Sequence, residues 1–215
     1  MSCSVNVRDV NYSCESKSLL ENINLNVGHE EKVAVVGANG SGKSTLLKII
    51  AGLISPSSGY IEIFHDKMGS LKDFRKYRSD IGYLPQDVSN HFLCPTVIED
   101  VMFALRAKGV SKDESYTKAS EVLENLNIKK LENRIIHELS GGEQKIVALA
   151  GILITKPKIL LLDEPTNDLD EKSENTICEI LNSIKKSMII VSHHKSFIDK
   201  LTLTIYRLNK SLIKE

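Results

Sequence analysis

The 215-residue chain reads as an α/β protein with a mostly parallel sheet, an N-terminal antiparallel β subdomain and an inserted α-helical subdomain. Three observations predict this. Short, uninterrupted apolar runs, Lys32–Val36 and Ile159–Leu162, suit strands buried on both faces of a parallel sheet. The first residues alternate apolar and polar with period two, as half-buried strands do. From about Pro95 to Ile154 the apolar residues recur at helical spacing instead.

In chain order, Val5, Val7, Val10 and Tyr12, then Ile23, Leu25 and Val27, mark the alternating strands. Lys32–Val36 ends at Gly37, and a helix opens near Lys43 and stops at about Gly52, a residue suited to a helix C-terminus. Ser55–Gly59 reads as a turn, Tyr60–Phe64 as a strand, and Ile81–Leu84 as a strand closed by Pro85. In the helical block, Val97, Val101 and Leu105, then Val122, Leu123 and Leu126, hold the helical period, and Pro157 breaks its last helix. A strand to Asp163, a helix over 171–186, a strand over Met188–Ser192, a short helix and a terminal strand near Leu203–Leu208 complete the chain. One domain is expected, its core about 1–87 and 156–215, its inserted helical subdomain about 88–155. Helices crossing between buried strands imply the parallel sheet.

Composition narrows the functional classes. Lys plus Arg and Asp plus Glu both number 28, so the net charge is zero and the basic footprint of a nucleic-acid binder is missing. The longest apolar runs, Leu46–Ile54 and Ile146–Ile154, hold about nine residues against the roughly 20 of a membrane span. The first ten residues show no signal-peptide core. A cytoplasmic protein is expected, one that depends on another chain for any membrane process. Cys3, Cys14, Cys94 and Cys178 form no CxxC pair and read as free thiols, and His91 with Cys94 is too small a set for a metal site.

The chemistry begins at Gly37-Ala38-Asn39-Gly40-Ser41-Gly42-Lys43-Ser44-Thr45, which fits G-x-x-x-x-G-K-[ST] without mismatch. Glycines let the backbone approach phosphate oxygens, and loop N–H groups with a helix start make a positive, concave anion site. Lys43 is placed to reach the β- and γ-phosphates and Ser44 to hold Mg²⁺. A buried strand before the loop and a helix after it complete the frame of a P-loop NTPase core. Its partner is Ile159-Leu-Leu-Leu-Asp163-Glu164-Pro165. Asp163, at the end of a buried strand, can hold Mg²⁺ directly or through water. Glu164, one step on, is placed to polarise a water attacking the γ-phosphate.

Leu139-Ser140-Gly141-Gly142-Glu143 then resembles the signature motif of ABC ATPases, a second anion site at a helix N-terminus. The resemblance covers about residues 3–210. It implies that this motif closes over ATP bound to the other subunit of a head-to-tail pair, so that hydrolysis needs a dimer. It also implies that Gln86 is the glutamine sensing Mg²⁺ and the attacking water, that Asp170 signals across the dimer, and that His193 contacts the γ-phosphate. The register after the strand favours His193 over His194. Two departures stand out. Cys14 occupies the position of the family's adenine-stacking ring, so that Tyr12, two residues back on the same face, either stacks in its place or belongs to the core. Ile146 and Gly151 stand where many relatives carry arginine.

Pro95–Val101 with Phe103, and Ala148–Leu153 followed by Lys156-Pro157, are similar to the corresponding regions of cobalt, nickel and energy-coupling-factor vitamin importers. The resemblance implies a subunit that hydrolyses ATP with Mg²⁺ and energises a small importer for a metal ion or vitamin. Its implied partners are a second ATPase subunit, identical or a sister, and an integral membrane subunit gripped by the helical block, at the inner face of the membrane. Many relatives of that branch carry a C-terminal extension, whereas this sequence stops at Glu215, which implies a weak dimer without ATP. The alternative is a soluble, ribosome-associated ABC ATPase of the F type, similar in Pro165–Asp170 and Val191–Phe197, against which the single domain and neutral charge count. A P-loop kinase or structural ATPase leaves the signature unexplained.

Overall fold

Apolar alternation sorts the buried strands between two cores. The structure, a computed structural model, describes residues 3–14, 17–201 and 203–214. Its strands are β1 (Cys3–Cys14), β2 (Lys17–Gly28), β3 (Lys32–Val36), β4 (Ser58–Ile63), β5 (Asp66–Met68), β6 (Ile81–Leu84), β7 (Ile159–Asp163), β8 (Ser187–Val191), β9 (Thr204–Asn209) and β10 (Ser211–Lys214). Its α-helices are α1 (Lys43–Ile50), α2 (Val97–Ala107), α3 (Lys112–Asn125), α4 (Gly141–Leu153), α5 (Glu171–Ser183) and α6 (Lys195–Asp199).

Among the described residues, six strands form one sheet in the order β10-β9-β3-β8-β7-β6. From β9 to β6 all neighbours run parallel, and β10 turns back antiparallel on β9. The sheet β2-β1-β4-β5 is antiparallel throughout. In β3, β7 and β8, Val33, Val35, Ile159, Leu161, Ile189 and Val191 face α1 and the antiparallel sheet. The intervening Ala34, Leu160, Leu162, Met188 and Ile190 face the helical block, α5 and α6. Both faces are covered, which is why these strands carry apolar residues at successive positions.

The differences from the sequence reading are local. The helical block is three helices, not one continuous pattern: Ser111 caps α3 by accepting the Glu114 N–H at 3.3 Å, and Asn127 sits in the left-handed region at φ 57°. Between α3 and α4 the chain runs through two short 3₁₀ turns that still bury Leu131 and Ile136. β5 follows a turn in which Phe64 and His65 both take positive φ, and its exposed Asp66 and Lys67 hide it from an apolar count. β10, an edge strand with only Leu212 half buried, escapes for the same reason. α5 ends at Ser183, short of Lys186. No described helix is long and apolar enough to cross a membrane. Cys14, Cys94 and Cys178 are free thiols, and the side chain of Cys3 lies outside the described part.

Candidate active site

Parallel strands present their C-terminal ends on one edge, where open α/β sheets bind ligands. Here the loops after β3, β6, β7 and β8 enclose a cavity of about 380 Å³, within the usual size of small-molecule sites. The β3 loop and α1 contribute Asn39, Gly40, Gly42, Lys43, Ser44 and Thr45; β6 contributes Gln86, β7 Glu164 and Asn167, and β8 His193. Leu19 of β2 also lines it.

Gly42 stands at the N-terminus of α1 with φ 98°, and no side chain caps the first turn, so its N–H groups stay free to meet an anion. At Gly37 a Cβ would come within 2.5 Å of the Leu208 carbonyl oxygen, so only glycine lets the loop pass that close to β9. The Lys43 side chain is buried, and its Nζ donates to the carbonyls of Gly37 and Ala38 at 2.9 and 3.0 Å. The lysine therefore lies along its own loop, inside the cradle. Ser41 holds the turn by donating its N–H to Ala38 O at 3.2 Å, while its buried hydroxyl has no hydrogen-bond partner among the described residues.

Ser44 Oγ donates to Asp163 Oδ1 at 2.9 Å, joining loop and strand end across 119 positions of sequence. Asp163 is only 2% exposed. Burial raises its carboxyl above the usual range; the Ser44 hydrogen bond pulls it partly back, and the neighbouring Glu164 charge adds to the rise. A serine hydroxyl and a carboxylate beside a phosphate cradle are hard oxygen donors of the kind Mg²⁺ takes together with substrate phosphates and water, so these residues fit that ion.

Glu164 is 4% exposed and takes φ 47°, a left-handed conformation that turns its carboxylate back to the cavity. Its Oε1 lies 2.8 Å from His193 Nδ1, and its Oε2 accepts the His193 N–H at 3.3 Å. Of the two adjacent histidines, His193 lines the cavity and His194 is not among its lining residues. Tyr12 does not line it. It pairs with Leu20 across β1 and β2 and packs on the apolar core beneath.

Leu139–Glu143 also lie off this cavity. Ser140 caps α4 reciprocally with Glu143: Ser140 Oγ accepts the Glu143 N–H at 3.3 Å, and Glu143 Oε2 accepts the Ser140 N–H at 2.9 Å. Gly141 has open space around it, and a Cβ on Gly142 would meet Ser173 Oγ at 2.4 Å. Asp170 caps α5 by accepting the Ser173 N–H at 2.7 Å, so the starts of α4 and α5 are packed side by side.

Sequence reasoning missed Lys145. It sits one turn into α4, 7% exposed, and donates to the carbonyls of Glu164 at 3.1 Å and Asn167 at 2.7 Å. Burial lowers its pKa, opposed by the charges of Asp168, Glu164 and Asp87. It ties the signature helix to the loop that carries Glu164. An isolated lysine after a glycine-rich motif gives no sign of such a role, because its two acceptors are main-chain atoms.

Residues 20–167 match the family described as ABC transporter. The chain belongs to the ABC transporter ATP-binding family. It is 42% identical to an ABC transporter ATP-binding protein of Brucella suis biovar 1, over 90% of this chain and 80% of that one. It is 37% identical to the energy-coupling factor transporter ATP-binding protein EcfA of Methanothermobacter thermautotrophicus, over 95% of this chain and 68% of that one. Among solved structures it resembles cbiO1 of Clostridium perfringens, part of the ABC transporter complex cbiONQ, with a TM-score of 0.87, 30% identity and coverage of 99% and 88%. It resembles equally the cassette MJ0796 in its dimeric post-hydrolysis state bound to ADP and Pi, with a TM-score of 0.87, 31% identity and coverage of 98% and 97%. The ABC chain is thus an ATP hydrolase on a P-loop NTPase fold, similar to the cobalt and energy-coupling-factor branch.

Two outcomes follow from the ABC site's electrostatics. Because folding raises the Asp163 pKa, the folded protein takes up that proton more readily than the unfolded chain, and the group's stability contribution falls as pH rises from the ordinary carboxylate range through the folded value. Asp163→Asn is therefore expected to melt higher than wild type at neutral pH without nucleotide, a gain that vanishes below about pH 4 where both states are protonated, while ATPase activity is lost. Thermal melts across pH check this, and a lower melting point at neutral pH contradicts it. Lys145→Met, of similar length but without donors, is expected to lower kcat about tenfold or more through misplacement of Glu164, with little change in KM for ATP. Steady-state kinetics with equal kcat in both proteins would show that the loop is held without it.

Proposed function

We propose that this chain is the engine subunit of a membrane importer, working as one half of a head-to-tail pair that closes on two ATP molecules. The observation that carries the pairing is a separation: Lys43, Ser44, Glu164 and His193 line one cavity, whereas Leu139–Glu143, at the start of α4 with Ser140 and Gly141 exposed, stand off it. A second chain supplies that helix start to the γ-phosphate, and Asp170, on the adjoining helix start, faces the same junction. The dimeric form of the MJ0796 cassette supports the pairing.

In this reading Gly37–Thr45 wrap the phosphates, and Lys43 moves from the Gly37 and Ala38 carbonyls to the β,γ-oxygens. Ser44 and Asp163, with Gln86 at the cavity wall, would hold Mg²⁺, which would supply neutralisation of phosphate charge. Glu164 accepts a proton from, or orients, the attacking water. His193 steadies the Glu164 carboxylate and reaches the γ-phosphate. Tyr12 keeps a structural place, leaving adenine to other contacts such as Leu19.

A groove on the helical block supports a membrane partner. Leu84, Pro85, Phe92, Leu93, Phe103 and Ile152 line it, with Leu93 69% and Phe103 43% exposed. Gly151 lies in its wall with open space around it, where an arginine would intrude, and Ile146 is buried in the helical core. Exposed apolar side chains gathered on one surface mark a docking site. The likeness to EcfA and cbiO1 supports a transporter of that branch, with the subunit peripheral at the inner membrane face; in this reading the cargo is cobalt, nickel or a vitamin, and the neutral net charge counts against a nucleic-acid partner.

Glu164→Gln is expected to bind Mg-ATP but stall hydrolysis, so that dimer accumulates; light scattering that finds only monomer at saturating ATP would overturn the sandwich for the isolated subunit. Tagged protein drawn from its native membranes in mild detergent is expected to bring down a polytopic membrane protein, and Phe103→Asp to lose it. Recovery of ribosomal proteins instead would promote the soluble F-type alternative.

A further inference from the structure

His194 has no part in the chemistry above, yet it completes a ligand set. Glu164, His193 and His194 each offer one donor atom, and the three atoms all lie within 4.8 Å of one another. The two imidazoles are neighbours in the chain with ring centroids 4.1 Å apart, and His193 Nδ1 is already 2.8 Å from Glu164 Oε1. His194 Nε2 sits 3.4 Å from Asn167 Oδ1, a long contact that holds the ring only weakly. Glu164 is almost wholly buried, so its carboxylate has little water to give up to a bound cation.

We infer that Glu164, His193 and His194 form a second cation site, for a borderline-soft divalent ion such as Zn²⁺, whose occupancy stops ATP hydrolysis. Two imidazoles and one carboxylate, with the remaining position open, is a donor set zinc accepts. Ligand atoms around tetrahedral zinc stand roughly 3.3 Å apart, so three atoms within 4.8 Å need small side-chain rotations to meet it. Donor chemistry separates this site from the one at Ser44 and Asp163. Mg²⁺ prefers oxygen and keeps its water, whereas imidazole favours zinc, nickel and copper. Glu164 and His193 both line the ATP cavity, so an ion held by these three residues would sit at its wall. The inhibition rests on the reading that Glu164 acts on the attacking water: a carboxylate that shares its charge with zinc is a much weaker base and is no longer free to orient that water. His193, turned to the same ion, is drawn from the γ-phosphate.

The test uses the full chain. Calorimetric titration of the nucleotide-free protein with zinc chloride is expected to give one ion per chain at this site, weakened at least tenfold in His194→Ala. With Mg-ATP in large excess, zinc is expected to inhibit wild-type hydrolysis, and His194→Ala to keep its Mg-ATPase while needing at least tenfold more zinc for the same loss. Superimposable isotherms overturn the site, and are also the result if zinc is taken by the exposed Cys14 thiol. If His194→Ala has lost basal activity, the isotherms decide alone. Zinc bound through His194 without inhibition overturns the inhibitory half and tells against Glu164 as the group acting on water, while leaving the family and the ATP cradle intact.

Discussion

The hydrogen bond from Ser44 to the buried Asp163 carboxylate is the constraint around which the site is organised. It joins the first turn of α1 to the end of β7, two strands away from β3 in the sheet. Parallel pairing makes this possible, because β3, β6, β7 and β8 all release their chains at the same edge. Each gives up a site residue within a few positions of its last strand residue: Gly37 after Val36, Gln86 after Leu84, Glu164 after Asp163, His193 after Val191. The site is thus a property of strand direction and register before it is one of side chains. The two cores on either face keep that register, since sliding a strand by one residue would exchange its two buried faces.

Function is held against a stability cost. Asp163, Glu164, Lys43 and Lys145 are all nearly buried, and a buried charge is tolerated only when it is paired or hydrogen-bonded. Each of these has its partner: Ser44, His193, the Gly37 and Ala38 carbonyls, and the Glu164 and Asn167 carbonyls. Glu164 and Asp168 add positive φ angles, at a cost of about 1–3 kcal/mol each. The loop after β7 is therefore fixed from three sides. β8 fixes it through the Val191 carbonyl, which accepts the Glu164 N–H at 2.9 Å, His193 fixes it through its ring, and Lys145 through its ammonium. Lys145 ties the signature helix to the loop bearing Glu164, so that in the proposed pairing a contact at Ser140 has a direct physical link to Glu164.

Much of this was legible in the residues, and for clear reasons. β3 and β6 fall on the predicted bounds and β7 and β8 within a residue of them, because a strand buried on both faces is a continuous apolar run with sharp polar ends. The phosphate loop and the acid pair are legible because their spacing is dictated by ligand geometry. What escaped is what leaves no pattern. β5 and β10 are edge strands held by backbone pairing, with little apolar surface to betray them. Lys145 acts through the main-chain carbonyls of Glu164 and Asn167, in a loop that it meets only in the fold. Tyr12 is ambiguous for the opposite reason: a ring on that strand face is as consistent with packing as with stacking, and its side chain lies partly buried against the apolar core.

The coupling of Ser44 to Asp163 is what assembles the phosphate loop and the acidic strand into one site. A double-mutant cycle of Ser44→Ala, Asp163→Asn and the pair, read as Mg²⁺-dependent ATP affinity, measures it. The two groups are predicted to be coupled by more than about 0.5 kcal/mol, so that the second substitution costs much less once the first is made. Additive losses would mean that the two residues act independently, and that the contact joining the phosphate loop to the acidic strand is not what assembles this site.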